Sequence, residues 1–169
     1  MSDEITSGGS NVHRYENHIP KGFEPAIGDG DNIDAISSHI EKHVGKIESV
    51  FHEIVSDKVH IDVHWVKPTE QHPYHTLVTS GMSDKPMNVP EEADNLQYAE
   101  LCVLLPSSWK INAESYALME EVFNDENNYW PVRWLKSIAR FPHEYDTWIG
   151  PYHTIPNGEK AEPFSENTK

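Results

Sequence analysis

Two histidines and an aspartate alternate along one apolar segment, where His60, Asp62 and His64 occupy every second position. Successive side chains of a β-strand point to opposite faces, so these three residues would share one face. Imidazole nitrogens and carboxylate oxygens are ligands for Zn²⁺ and related ions. His72 and His75 follow just beyond a turn bounded by prolines. Together the five residues favour one enzymatic interpretation, a metal-dependent hydrolase.

The histidine-rich face also has a simpler interpretation, because such faces are typical of hydrogen-bonded or solvated strands. The chain contains no metal motif of fixed spacing, no Gly-x-Ser-x-Gly elbow, no phosphate-binding glycine loop and no dinucleotide fingerprint. A hydrolase pairing Ser80 or Ser83 with His75 or His153 needs an adjacent base that the sequence does not identify. Our first expectation is therefore no catalytic residue, no metal and no cofactor, with the metal-dependent hydrolase as an alternative.

A glycine flanked by hydroxyl-bearing residues ends the strand-like stretch YHTLVTSGMS at 74–83. Gly81 permits backbone conformations that bulkier residues resist. Trp148 is followed closely by Gly150, which indicates a second sharp turn. We expect these residues to form one structural corner that lines a cleft. Its predicted members are Thr79, Ser80, Gly81, Met82, Ser83, Trp148, Gly150 and His153.

A single acidic residue interrupts the most hydrophobic segment of the chain, at 98–105. Strand alternation places Glu100 on the same side as Tyr98 and Cys102. A buried carboxylate is costly unless it is paired or hydrogen-bonded. Glu100 therefore needs a partner if it is buried. The apolar neighbours of Cys102 predict a buried, unreactive thiol.

The apolar spacing predicts helices and strands in alternation. Asp31 or Asn32 can cap a helix whose apolar residues recur at three and four positions from Ile33 to Ile54. The segments 59–66 and 74–81 alternate as strands, and 98–105 is predicted to be the central strand. An acidic, proline-bearing loop is expected at 83–95.

Two further helices are expected after the last predicted strand. One runs over 112–123, and the next begins near Pro131 and stops before Pro142. Interleaved helices and strands of this kind predict an α+β or mixed α/β sandwich around a sheet of at least four strands.

The net charge of −15 over 169 residues indicates the kind of partner. A strongly acidic surface repels nucleic acid and anionic membranes and attracts basic proteins. Acidity also keeps proteins soluble, and this is the alternative explanation. The predicted partner-binding carboxylates are Asp84, Glu91, Glu92, Asp94, Glu120, Glu121, Asp125 and Glu126.

The length of the chain and the composition of its N-terminal residues predict its domain organisation. The chain has the size of one domain. Residues 1–22 are polar and aperiodic, which predicts a mobile tail in which Tyr15 and Ile19 are able to dock, and 23–169 form the domain. No apolar run is long enough to cross a membrane, and no basic-then-apolar leader is present. We therefore expect a cytoplasmic protein.

Four segments in order carry a family resemblance: YHTLVTSGMS at 74–83, YAELCVLLP at 98–106, the helix containing Trp130 and Trp134, and DTWIG at 146–150. Together they resemble the suppressor of fused domain over roughly residues 23–169. The resemblance implies a mixed β-sheet flanked by helices, an α+β fold, and a role in binding other proteins. It also implies that partners are held partly by strand addition, in which a peptide joins a sheet.

Stand-alone bacterial members of this family resemble immunity proteins that neutralise toxins, several of which are nucleases. The resemblance thus implies an immunity or antitoxin-like inhibitor that covers a cationic cleft. A peptide-binding scaffold that acts by strand addition remains an alternative. Family members usually continue into a further apolar strand, and this chain lacks one after Lys169. We therefore expect a shortened version whose open sheet edge allows homo-oligomerisation.

Overall fold

The computed structural model describes residues 4–15, 22–111, 126–158, 160, 162–166 and 168. The first helix, α1, spans Gly30–His43, and its N-cap is Asp29. The Asp29 carboxylate accepts hydrogen bonds from the amides of Asp31 (3.0 Å) and Asn32 (3.3 Å). An N-cap of this kind satisfies amides that have no partner within the helix. The predicted caps, Asp31 and Asn32, are therefore the donors in this arrangement.

The predicted helix from Ile33 to Ile54 is wrong in its second half. Helix α1 ends at His43 with Val44 as its C-cap, and Gly45 follows with φ of +152°, a conformation that other residues rarely adopt. The chain then continues as strand β1 over Ile47–Phe51. Apolar residues at helical spacing continue past Gly45, but Ile47, Val50 and Phe51 lie in this strand and Ile54 is exposed.

Four strands form one antiparallel sheet in the order β1-β2-β3-β4. Strand β2 spans Asp62–Val66, β3 spans Tyr74–Ser80 and β4 spans Cys102–Pro106. The predicted α+β class is confirmed. All pairs among these described strands are antiparallel, whereas the resemblance implied a mixed sheet.

The expected central position of the 98–105 strand is wrong, since β4 lies at the edge of this four-stranded sheet. Cys102 is exposed, and so is Leu104, while Leu105 on the opposite face is buried. The expectation of a buried thiol therefore fails. Apolar character alone did not separate an edge strand from a central one, because one face of β4 carries apolar residues that are not buried.

The second described helix, α2, spans Glu126–Tyr145 and contains both Pro131 and Pro142. The sequence predicted that the helix would begin near Pro131 and stop before Pro142, but both prolines lie inside it. Tyr145 is followed by Asp146 with φ of +52°, and the amide of Thr147 donates to the carbonyl of Pro142 at 2.9 Å. Within the described part of the chain, no helix is both long and apolar enough to cross a membrane. The helix predicted at 112–123 lies outside the described residues.

The core consists of two clusters of buried apolar residues, which come from the sheet, from segments next to it and from α2. The first joins strand residues to α2 and contains the buried residues Phe51, Val63, Trp65, Leu77, Leu105, Val132 and Leu135. The second contains Val59, Ile61, Met82, Met87 and Ala139, with Trp148 packed against it. Burial of this apolar surface is the main favourable contribution to folding.

Tyr15 docks against the domain, as the sequence allowed. Its hydroxyl is 2.8 Å from Thr147 Oγ1, and its ring centre lies 5.4 Å from that of Phe141 and 5.2 Å from that of Tyr145. Ile19 lies outside the described residues. The division at residue 22 into a mobile tail and a domain remains a prediction.

Candidate functional site

The corner after β3 depends on a glycine. Gly81 has φ of +98°, and a Cβ atom at this position would lie 1.8 Å from the carbonyl oxygen of His60. That distance is impossible for two non-bonded heavy atoms, and the obstacle is backbone rather than a movable side chain. The backbone before β2 and the end of β3 therefore approach this closely only because residue 81 has no side chain.

Glu100 closes the same corner from the segment before β4. Its Oε2 accepts a hydrogen bond from Thr79 Oγ1 at 2.6 Å, and its Oε1 accepts from the amide (2.9 Å) and the hydroxyl (2.6 Å) of Ser83. Thr79 Oγ1 in turn accepts from the amide of Leu101 at 2.7 Å. The expectation that Glu100 would need a partner is confirmed, and the partners are two predicted members of the corner.

Met82 connects the corner to helix α2. It begins a short 3₁₀ turn, Met82–Asp84, and its side chain is only 1% exposed. His143 Nε2 donates to the Met82 carbonyl at 2.9 Å. Burial lowers the pKa of His143 below its ordinary value, so the neutral ring is favoured in the folded protein.

Asp84 ties the corner to α1. Its carboxylate accepts from Asn32 Nδ2 at 2.7 Å and from the Asp29 amide at 3.0 Å, while Asn32 Nδ2 is also 3.2 Å from Ser83 Oγ. The sequence placed Asp84 in a partner-binding patch. In the structure both of its carboxylate oxygens accept hydrogen bonds from residues at the start of α1.

The second turn predicted for the corner lies against the same core. Trp148 packs on the cluster that contains Met82. A Cβ atom at Gly150 would lie 2.3 Å from the Trp148 ring, so glycine allows the chain to pass close to the indole. The exposed ring of His153 lies 4.4 Å from that of Trp148, and its Nδ1 accepts from the Gly150 amide at 3.3 Å.

Two residues of the predicted metal face, His60 and Asp62, contact each other, whereas His64 has a different partner. Asp62 is buried and accepts from His52 Nδ1 (2.8 Å) and His60 Nε2 (3.1 Å). His64 Nε2 instead lies 2.9 Å from Ser80 Oγ. The described ranges contain no group of three or more His, Cys, Asp or Glu side chains placed to hold a metal ion.

The two other histidines of that hypothesis are also apart from Asp62. His75 is buried and accepts from the indole nitrogen of Trp65 at 3.0 Å, while His72 is exposed in the turn before β3. Burial lowers the pKa of both His64 and His75. The described geometry thus gives the metal-dependent hydrolase no support.

A further hydrogen-bonded carboxylate, the half-buried Glu53, was missed because the sequence placed it inside a helix. Its Oε2 accepts from Ser56 Oγ (2.8 Å) and from the amide of Ile61 (3.1 Å), and its Oε1 pairs with Arg140 of α2. Ser56 Oγ is also 2.7 Å from His60 Nδ1. Gly45 was the sequence signal that a helix could not reach residue 53.

The acidic loop before β4 contains three of the predicted partner-binding residues. Glu91, Glu92 and Asp94 are exposed on a 3₁₀ segment, Glu91–Leu96. A cleft of about 600 Å³ lies beside this segment and is lined by Met87, Val89 and Gln97 together with Pro142 and His143 of α2. Of the other predicted residues, Glu120, Glu121 and Asp125 lie outside the described part, and Glu126 begins the described part of α2.

The architecture of the described residues is α+β, with a hydrogen-bonded corner between the end of β3 and the segment before β4. The sequence model of one family, Suppressor of fused protein (SUFU), matches residues 57–169, which is more than half of the chain. The chain belongs to this family, whose domain is a protein-interaction module. The match begins at Asp57, later than the residue 23 suggested by the resemblance. Comparisons with curated proteins and with solved structures found no match.

Proposed function

We propose that this protein is an inhibitor of the immunity or antitoxin type, which binds a cationic toxin in the cytoplasm of a bacterial cell and covers the toxin's active cleft. The observation that carries the proposal is the exposed acidic loop, Glu91, Glu92 and Asp94, on a chain with net charge −15. Nuclease clefts are cationic because they accommodate phosphates, so a nuclease is the toxin class that such a loop fits best.

The carboxylates of the acidic loop are close together and repel one another. Among the described residues, no lysine or arginine forms an ion pair with Glu91, Glu92 or Asp94, and only Asp94 is engaged, by Gln97 Nε2. Like charges that lack a counterion raise the energy of the free protein. A basic partner would relieve this repulsion, and the long-range attraction would speed association.

The acidic loop is held in place at its base. The amide of Met87 donates to the Gln97 carbonyl at 2.8 Å, and the amide of Asn88 donates to the Thr147 carbonyl at 3.0 Å. The Met87 side chain is 4% exposed. A loop fixed in this way loses little conformational entropy on binding, which favours its use as a recognition surface.

The experiment begins with capture of partners from the source cell on the purified chain, at low and at high salt. The association rate of a captured basic protein is then measured for wild type and for the triple variant Glu91→Lys/Glu92→Lys/Asp94→Lys. We expect the on-rate to fall by about 10-fold to 100-fold in the variant, with an unchanged melting temperature. The matched control reverses three other exposed carboxylates, Glu70→Lys/Glu162→Lys/Glu166→Lys, and we expect a smaller decrease.

Equal on-rates in the triple variant and in wild type would remove the acidic loop from the interface. Binding that survives high salt, but fails when proline replaces a residue of the bound peptide, would instead favour capture of an extended strand. The acceptor would be one of the two edge strands of the described sheet, β1 or β4, because each pairs with a single neighbouring strand there.

A further inference from the structure

A cleft with exposed isoleucines lies between the segment before α1 and the loop after β1. Ile27 is 95% exposed and Ile54 is 100% exposed. The cleft, here named the Ile54 cleft, has a volume of about 400 Å³. Its lining residues are Ala26, Ile27, Gly28, Ile33, Ile54, Ser56 and His60.

The two walls of the Ile54 cleft are joined by backbone hydrogen bonds. Pro25 and Asp57 form an antiparallel bridge, in which the Ala26 amide donates to the Ser56 carbonyl at 3.3 Å and the Lys58 amide to the Glu24 carbonyl at 2.8 Å. Ile27 and Ile54 lie just beyond this bridge, on opposite walls. The cleft is thus formed by the fold rather than by chance contact of two free loops.

The loop after β1 contains a network of polar side chains beneath two exposed apolar ones. Ser56 Oγ is hydrogen-bonded to both Glu53 and His60, and Arg140 of α2 pairs with Glu53. Ile54 and Val55, which is 73% exposed, point away from them. Because the interior positions are already occupied by satisfied polar groups, the two apolar side chains cannot turn inward without breaking these bonds.

The charges next to the Ile54 cleft are negative. Asp29, Asp31 and Asp34 are exposed, directly follow Gly28 and flank Ile33 on α1. No described lysine or arginine lines the cleft, and of the cations near the loop after β1, Arg140 pairs with Glu53 and Lys58 is 6% exposed. An apolar cleft with an acidic border fits an apolar side chain whose neighbours are lysine or arginine.

We propose that the Ile54 cleft is the docking site for an apolar anchor residue within a basic segment of the protein partner. This inference rests on the proposed function and assigns it a second contact surface, distinct from the acidic loop. All the lining residues except His60 precede Asp57, where the family match begins. The cleft thus lies almost entirely outside the matched residues.

The test uses the full chain with labelled isoleucine methyl groups and three synthetic peptides of equal length. One peptide alternates lysine with leucine, one alternates lysine with glycine, and one alternates glutamate with leucine. We expect the lysine–leucine peptide to shift the methyl signals of Ile27, Ile33 and Ile54 in the NMR spectrum and to leave Ile155 unchanged. Equal shifts with the lysine–glycine or the glutamate–leucine peptide would overturn the proposal.

Substitution separates the cleft from general electrostatics. Ile54→Asp adds a negative charge, so attraction alone would strengthen binding of the lysine–leucine peptide, whereas loss of the apolar contact should raise its Kd about tenfold or more. Tyr152→Asp is the matched control, since Tyr152 is also fully exposed and lies outside the cleft. Unchanged binding by Ile54→Asp, or an equal loss in Tyr152→Asp, would overturn the proposal.

Three further outcomes are distinguishable. Sedimentation that shows self-association of wild type, abolished in Ile54→Asp, would identify a second copy as the occupant and overturn the proposal. If the captured basic partner binds Ile54→Asp as tightly as wild type, this inference fails while the proposed function stands. If no basic partner exists but the lysine–leucine peptide still binds at the cleft, the proposed function fails alone.

Discussion

Two half-buried carboxylates, Glu100 and Glu53, hold two regions of the molecule, and the apolar residues next to them differ in exposure. At the corner, Glu100 accepts from Thr79 and Ser83, and the adjacent Met82 is 1% exposed. In the loop after β1, Glu53 also accepts from a hydroxyl and a backbone amide, yet Ile54 is 100% exposed. The same hydrogen-bonding arrangement thus closes the core in one region and holds apolar surface outward in the other.

The two regions therefore differ in role, with stability assigned to the corner and recognition to the loop after β1. The corner lies inside the family match, and its contacts connect β3, the segment before β4 and α1. Most of the loop precedes the match, and its outward side chains contribute nothing to the core. We infer that changes at the corner act on folding, whereas changes at Ile54 act on binding.

The largest expected effect is at the corner. Gly81→Val would place a branched side chain where a Cβ atom already overlaps the His60 carbonyl, at a φ that valine avoids. We expect a loss of more than about 4 kcal/mol in the free energy of unfolding, which is enough to prevent folding of a domain of ordinary stability. Circular dichroism and thermal melting of the purified variant measure this.

Gly30→Val is the matched control for that substitution. Gly30 has open space around it and begins α1 next to the acidic border of the Ile54 cleft. We expect a folded protein. A Gly81→Val variant as stable as the Gly30→Val variant would contradict the structural role of the corner.

A medium effect is expected from removing either half-buried carboxylate, Glu100 or Glu53. Glu100→Ala leaves three donors without their acceptor, and Glu53→Ala does the same to Ser56, Ile61 and Arg140. Each variant should lose about 2–4 kcal/mol in the free energy of unfolding, as measured by urea denaturation. Only Glu53→Ala should also weaken binding of the lysine–leucine peptide, because only Glu53 anchors the loop that carries Ile54.

Glu70→Ala is the control, since Glu70 is exposed, and it should change neither quantity measurably. Equal weakening of peptide binding by Glu100→Ala and Glu53→Ala would show that the two regions do not differ in the way we infer. That result would contradict the inference that the corner acts on stability and the loop after β1 on recognition.

The smallest effect is a pH dependence that involves the corner. Burial lowers the pKa of His143, His64 and His75 in the folded protein, and His143 and His64 bond to Met82 and Ser80 of the corner. Below the ordinary histidine value of about 6.5, the unfolded chain therefore binds protons that the folded chain does not. Stability should be complete above this pH and should fall below it.

The expected slope is at most about 1.4 kcal/mol per pH unit for each such histidine, measured by urea denaturation at a series of pH values. His143→Gln should reduce the slope, whereas replacing the exposed His13 with glutamine should leave it unchanged. Identical slopes in all three proteins would show that protonation of His143 is not coupled to folding.

The sequence predicted the features that depend on neighbouring residues. Gly81 ends one segment of strand-like alternation, and its neighbours were enough to predict a turn there. Glu100 interrupts another apolar segment, which was enough to predict that its carboxylate needs a hydrogen-bonding partner. The α+β class followed from the alternation of periodic segments. The family resemblance rested on segments at 74–83, 98–106 and 146–150, all within the matched residues.

The features that depend on distant residues were not predictable in this way. Ile47, Val50 and Ile54 continue the helical spacing of α1, and the structure places the first two in or beside the sheet and the third in solvent. His60 and Asp62 form a metal-like pattern and contact each other, but their further partners are Ser56 and His52. Gly45 was a local signal for the end of α1, whereas the partners of these side chains and the strand that becomes the edge depend on residues far apart in the sequence.

The strand order β1-β2-β3-β4 also has a consequence for synthesis on the ribosome. Each strand pairs with the one made just before it, so the described sheet grows by successive hairpins without waiting for later residues. Helix α2, which supplies Val132, Leu135 and Ala139 to the core, is made afterwards. The nascent chain therefore carries an uncovered apolar sheet face until α2 emerges, and this interval is when a chaperone would find its binding surface.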